Sequence, residues 1–223
     1  MLADHSPQQS IETLRPALER GLNALGIDRG PDLADGLLRY LELLMRWNAV
    51  YNLTSVRDPR EMLARHLFDC LAVAPHLEAG SLADLGSGAG FPGIPLALLD
   101  QSRPVTLVES NGKKARFLRT AVRELRLKHV EVFADRAETA RVEPKAWVIA
   151  RALAPLDELV RLAEPWLGPE SRLLAMKGPG AESELASLPT AVALVARHRL
   201  HIPDLDAERY LVVLKRAPAA PER

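Results

Sequence analysis

A chain that leaves an apolar strand through three alternate glycines and enters an apolar helix at once has few folds open to it. Residues 82 to 99, LADLGSGAGFPGIPLALL, do this. The strand ends at Asp84, Gly86, Ser87, Gly88 and Gly90 form the turn, and Leu96, Leu98 and Leu99 carry the helix onto a sheet. Glycine permits positive φ and leaves no Cβ to hold a ligand away from the backbone. The N–H groups at the start of the helix are expected to face an anionic group in the crevice. This is the layout of a nucleoside-cofactor site in a doubly wound α/β sheet.

The turn does not name the cofactor. Gly88, Gly90 and Gly93 satisfy G-x-G-x-x-G, and Glu109 follows at about the distance of a ribose-binding acid, so a nicotinamide dinucleotide is admitted. Asp84 argues otherwise, because a carboxylate beside the turn repels a pyrophosphate and suits an ammonium. S-adenosylmethionine carries that ammonium and no phosphate. A phosphate-loop NTPase is set aside, since Gly112-Lys113-Lys114 lacks the upstream glycine and the Ser or Thr for magnesium.

Around this unit the periodicities predict helices over 8 to 25, 31 to 49 and 58 to 74, with Asp58-Pro59 as N-cap and first-turn proline. Strands are predicted at 81 to 86, 104 to 109, 129 to 134, 146 to 151 and 171 to 177, separated by helices. That alternation implies a parallel sheet with right-handed crossovers. AVALVARHRLHI and ERYLVVLKRA, joined by PDLDA, read as a terminal antiparallel pair, and the tail APAAPER as frayed. The expected division is a helical extension at 1–78 and a cofactor-binding domain at 79–223, together one compact unit. The lone Cys70 falls in an apolar helical pattern and excludes a disulfide framework or a cysteine-rich zinc site. MLADHSPQQS lacks the pattern of a signal peptide and no apolar run is long enough to span a membrane, so a cytoplasmic protein is expected.

Charge balances over the whole chain, 29 basic residues against 29 acidic, but not locally. Arg116, Arg119, Arg123 and Arg126 follow at spacings of three, four and three, with Lys113 before them and an apolar face of Ala115, Leu118, Val122 and Leu125 beside them. Such a single-sign stripe near a cofactor site suits contact with a phosphate backbone.

Several segments together identify a resemblance: the glycine turn, RWNAVYNLTSVRDPREMLARHLFDCLAV, VTLVESNGKKARFLR, IARALAPL, AMKG and ERYLVVLKRA. From about Tyr40 to Arg216 the chain is similar to the bacterial small-subunit ribosomal RNA methyltransferase G family, also called glucose-inhibited division protein B. The resemblance implies a Rossmann-like S-adenosylmethionine-dependent methyltransferase fold, with a mostly parallel sheet, a C-terminal antiparallel strand and an N-terminal helical extension. It implies methylation of N7 of a guanine in 16S rRNA of the small ribosomal subunit. A monomer needing no metal is expected. By motif position it assigns Gly86, Phe91, Ala137, Glu138 and Arg151 to the cofactor pocket; the residues themselves add Asp84, Ser87, Gly88, Gly90 and Glu109.

The chemistry agrees with that implication. Ala150-Arg151-Ala152-Leu153 stands where exocyclic-amine methyltransferases carry Asp/Asn-Pro-Pro-Tyr/Phe, and no cysteine follows the sheet to attack cytosine C5. Guanine N7 presents a lone pair and needs no general base, which leaves placement and electrostatics. Arg151 and Lys177, at the ends of the fourth and fifth strands, are the catalytic candidates for holding guanine O6 or a flanking phosphate. Lys113, Arg116, Arg119 and Arg123 are the RNA-binding candidates. Trp47 and Tyr51 suit core packing better than base stacking, and His66, His198 and His201 form no metal constellation. Two alternatives stay open, a nicotinamide oxidoreductase and a non-catalytic RNA-binding module.

Overall fold

The computed structural model describes residues 11–217. The segment MLADHSPQQS, with the first residues of the helix expected at 8 to 25, and the tail APAAPER beyond Ala217 lie outside them. Two helices come first, α1 (Arg15–Ala24) and α2 (Pro31–Tyr51). Pro31 fits the first helical turn, where its missing N–H has no partner to lose, and Asn52 ends α2 in the left-handed region at φ 51°. The third, α3, starts at Pro59–Met62, with Asp58 Oδ1 accepting the Arg60 N–H at 2.8 Å as the N-cap. It then departs from the expected regular helix: a π-helical turn, Leu63–Phe68, intervenes before it closes as Asp69–Leu71.

Strands and helices follow, β1 (Leu82–Leu85), α4 (Gly93–Leu99), β2 (Val105–Val108), α5 (Gly112–Glu124), β3 (Val130–Phe133), β4 (Lys145–Arg151), α6 (Leu156–Ala163), β5 (Leu167–Lys177), α7 (Ala181–Leu185), β6 (Val192–Leu200) and β7 (Arg209–Arg216). Between β3 and β4 the expected helix is replaced by a single 3-10 turn, Ala137–Thr139. The seven strands form one sheet in the order β3-β2-β1-β4-β5-β7-β6. β1 to β5 are mutually parallel, and β7 runs antiparallel to both neighbours, β5 and β6. The expected fold class and terminal hairpin are both present. β4 and β5 start earlier than expected, at Lys145 and Leu167, because these two residues pair across an irregularity in the ladder.

Every residue of β1 and β2 is buried, as in central parallel strands covered on both faces. One face packs against the N-terminal helices, α4 and α5 in a cluster that runs from Leu18 and Leu37 through Phe68 to Leu107 and Leu174. The Phe68 ring occupies the space over Gly21, where a Cβ would stand 2.0 Å from it. The other face packs against α6 and Trp166, whose indole N–H donates to the Ala137 carbonyl at 2.9 Å. Strand order reverses between β1 and β4, and this opens a crevice at their carboxyl ends.

On α5 the buried residues are Ala115, Phe117, Leu118 and Ala121, while Val122 and Leu125 are partly buried against the same core. Arg126 is not on the helix, which ends at Glu124; its φ of 56° turns the chain toward β3. The helical stripe therefore closes at Arg123.

Candidate active site

The glycine turn is held from beneath by Asp84. This side chain is fully buried, and its Oδ2 accepts the Gly93 N–H, the first N–H of α4, at 2.9 Å. The expected open anion site at that helix end is thus already filled by the chain's own carboxylate. Ser87, also buried, donates its hydroxyl to the Asp84 carbonyl at 2.8 Å and its N–H to the Val108 carbonyl. Asp84 Oδ1 has no partner, alone among the buried side-chain oxygens and nitrogens of the described residues. Burial raises this carboxyl to about 7, against the lowering effect of the Gly93 and Ser87 hydrogen bonds.

The turn glycines have different reasons to be glycine. Gly86, Gly88 and Gly90 all have positive φ, at 68°, 58° and 98°. A Cβ on Gly90 would stand 2.5 Å from Ile94, so packing excludes it. A Cβ on Gly88 would meet nothing closer than the Gly86 carbonyl at 3.8 Å, so the space above it is open. Only Gly88 therefore keeps an approach clear for a ligand.

Beside the turn lies a cavity of about 430 Å³, lined by Gly86, Glu109, Lys114, Ala137, Glu138 and Leu153 among others. Glu109 accepts the Gly88 N–H at 2.8 Å through Oε2 and the Asn111 N–H at 2.7 Å through Oε1. Each carboxylate oxygen has a second lone pair, so Glu109 can still accept two hydroxyls. Phe91 is on the other side of the turn and almost wholly buried. It stacks near His66, with centroids 4.4 Å apart, and carries the Arg151 guanidinium 5.0 Å from its own centroid.

Arg151 and Lys177 end adjacent strands as expected, but neither is an isolated cation. Arg151 bonds Asp69 Oδ2 at 3.1 Å and the Arg65 carbonyl at 3.0 Å. Lys177 forms a largely buried ion pair with Glu184 at 2.7 Å and also donates to the Ala154 carbonyl at 2.7 Å. Glu184 also accepts the Leu156 N–H at 2.8 Å, so Lys177 and Glu184 together staple the loop after β4.

A family model for rRNA small subunit methyltransferase G matches residues 34–212. The chain belongs to the rRNA small subunit methyltransferase G family. Relatives of that name are 51% identical over 203 residues in Xanthomonas oryzae pv. oryzae, covering 90% of this chain and 94% of the relative, and 51% identical over 201 residues in Xylella fastidiosa, covering 89% and 93%. A predicted O-methyltransferase, Atu636 from Agrobacterium tumefaciens, shares the fold with a TM-score of 0.56 at 23% identity over 70% of this chain and 82% of its own. A variant of MtNAS in complex with S-adenosylmethionine shares it with a TM-score of 0.56 at 17% identity over 95% and 90%. The chain is thus an enzyme of the methyltransferase G family, and neither the oxidoreductase nor the non-catalytic alternative is supported.

On this family member Lys113, Arg116, Arg119 and Arg123 are exposed along α5, and none of the four forms an ion pair among the described residues. Trp47 is half-buried on Phe117, with centroids 5.6 Å apart, in keeping with its packing role. The residues that sequence reasoning missed come from the extension: Asp69 beneath Arg151, His66 on Phe91, and Tyr40, whose hydroxyl donates to the Ala89 carbonyl within the turn. Burial pushes His66 down to about 4, helped by the Arg151 charge, so it is neutral at physiological pH. Its Nε2 lies 2.9 Å from Thr54 Oγ1 and its Nδ1 2.9 Å from the Arg65 carbonyl. No three of the described His, Cys, Asp or Glu residues could hold a metal, and no described helix is long and apolar enough to cross a membrane.

Proposed function

We propose that this enzyme methylates N7 of a guanine in 16S rRNA of the small ribosomal subunit. The methyl donor is S-adenosylmethionine, which supplies an electrophilic methyl group on a sulfonium. The observation that carries the reading is the pairing of a buried carboxylate lacking one donor, Asp84, with a nucleoside-sized cavity whose acid, Glu109, retains acceptor capacity. Asp84 is suited to the ammonium of the donor and Glu109 to its ribose hydroxyls. Gly86, Ala137 and Glu138 line the adenosine end; Gly88 and Gly90, held by Ser87, shape the turn; Phe91 and Arg151 border the methionine end.

N7 carries its lone pair without deprotonation, so the protein need not hold a base there. His66 agrees with this economy: it is neutral, yet both ring nitrogens are engaged by Thr54 and the Arg65 carbonyl. Arg151 holds guanine O6 or a neighbouring phosphate. Lys177 retains one N–H donor for the same task and fixes the loop after β4. The stripe Lys113, Arg116, Arg119 and Arg123 contacts the RNA backbone. The enzyme acts as a cytoplasmic monomer without metal, and residues 1–78 and 79–223 work as one unit, a reading supported by the core cluster that joins them. The test is to incubate the enzyme and S-adenosylmethionine with small subunits from cells lacking it, then map 7-methylguanine in 16S rRNA. One new 7-methylguanine is expected; a methyl group on any other atom overturns the N7 reading.

A further inference from the structure

The orientation of Arg151 is set from outside the catalytic sheet. Its Nη1 bonds two acceptors, the Arg65 carbonyl at 3.0 Å and Asp69 Oδ2 at 3.1 Å, and an Nη nitrogen has only two hydrogens to give. Among the described residues Nε–H and both Nη2 hydrogens meet no acceptor, which leaves them for substrate. The Phe91 ring, 5.0 Å from Cζ, supports the face of the guanidinium. Two acceptors on one nitrogen and a ring beneath the plane leave the group little freedom to turn.

The acceptors are available for specific reasons. In an α-helix the Asp69 N–H would bond the Arg65 carbonyl four residues back. The π-helical turn sends that N–H to the carbonyls of Ala64 and His66 instead, so the Arg65 carbonyl is released toward Arg151. Asp69 is 5% exposed at its side chain and meets a second guanidinium, that of Arg209 on β7, with Nε 3.2 Å from Oδ1. One carboxylate oxygen is thus dedicated to each guanidinium.

We infer that Asp69 is a positioning residue for methyl transfer, which with the Arg65 carbonyl of the π-helical turn aims Arg151 at the RNA base. The inference rests on the role given to Arg151 above. The decisive experiment is a double-variant cycle in single-turnover methyl transfer to unmodified small subunits, at saturating S-adenosylmethionine and subunit. Asp69→Asn is expected to slow the rate at least tenfold with a smaller change in KM for the subunit, and to slow Arg151→Ala by less than twofold further. Full additivity of the two losses overturns the inference, while a wild-type rate in Arg151→Ala overturns the role of Arg151 itself.

A second measurement does not depend on the Asp69 variant folding. In 15N-arginine-labelled wild-type enzyme, the Arg151 guanidinium, assigned by its disappearance in Arg151→Ala, is expected to show resolved Nη signals from hindered rotation. A single averaged Nη signal in the wild type would show that Arg151 is not held, and would overturn the inference.

Discussion

As the proposed partner of the donor's ammonium, Asp84 would link cofactor recognition to pH. Its Oδ1 has no donor and burial raises its pKa to about 7, so near neutrality it is only partly ionised. An ammonium beside Oδ1 favours the carboxylate, so binding selects the deprotonated form and the enzyme loses a proton. Affinity must therefore fall as pH drops below 7. Between pH 7 and pH 6 the dissociation constant for S-adenosylmethionine is expected to rise about fivefold, the ratio of ionised fractions for such a group. This window stays below the range of an α-amino group, about 7.7 to 8.0. Titration calorimetry in two buffers of different ionisation enthalpy reads both the affinity and the proton. Asp84→Asn should bind more weakly and without this slope; a wild-type affinity independent of pH would remove Asp84 from the ammonium. Single-turnover transfer at saturating cofactor should stay flat from about pH 6 to 9, because N7 needs no base. A rate that climbs tenfold per pH unit would mean that a base exists.

Among the elements, α5 carries the proposed contact with the RNA backbone. Lys113, Arg116, Arg119 and Arg123 project from a helix whose opposite face is sealed by Ala115, Phe117, Leu118 and Ala121. Arg116→Ala, Arg119→Ala and Arg123→Ala should each weaken subunit binding and lower the salt slope by about 0.7 to 0.9, with cofactor affinity unchanged. Three unchanged slopes would leave the stripe as a solvated face. α5 was legible because helical spacing is a local property, and so were the parallel strands and the glycine turn. Its end was not: Arg126 continues the three-four-three spacing, yet adopts a positive φ that spacing does not record. The π-helical turn in α3 was equally hidden, since LARHLF has ordinary helical character. Arg151 and Lys177 could be placed at strand ends, but their partners could not be read. Asp69 meets Arg151 across 82 residues of sequence, and no local pattern marks such a pair. Asp84 was legible as a carboxylate at the turn; its capping of α4 was not, because the free helix end predicted by the motif is the very group it occupies.

At the scale of the whole molecule, the same two buried groups that frame the site oppose each other in stability. Asp84 has a folded pKa of about 7 against an ordinary value of 3.8, so the folded state holds its proton where the unfolded state has lost it. Its contribution falls as pH rises through that interval. His66 runs the other way: with a folded pKa of about 4 against 6.5, it costs stability when the unfolded chain takes up a proton, and that cost is relieved as pH rises from 4 to 6.5. From pH 4.5 to 6.5 each effect amounts to about 2 kcal/mol, with opposite sign. The wild type is thus expected to gain or lose little stability from this pair across the window. Replacing either partner should uncover the other. Relative to wild type, Asp84→Asn should become more stable by about 2 kcal/mol on going from pH 4.5 to 6.5, and His66→Gln less stable by about 2 kcal/mol. Taking differences from wild type removes the titrations common to both proteins, including that of His76, whose pKa burial also lowers. Urea midpoints at pH 4.5, 5.5 and 6.5, without cofactor, measure the slopes. Parallel pH profiles for wild type and both variants would show that neither group titrates differently on folding, and would detach the pH dependence of cofactor binding from Asp84 as well.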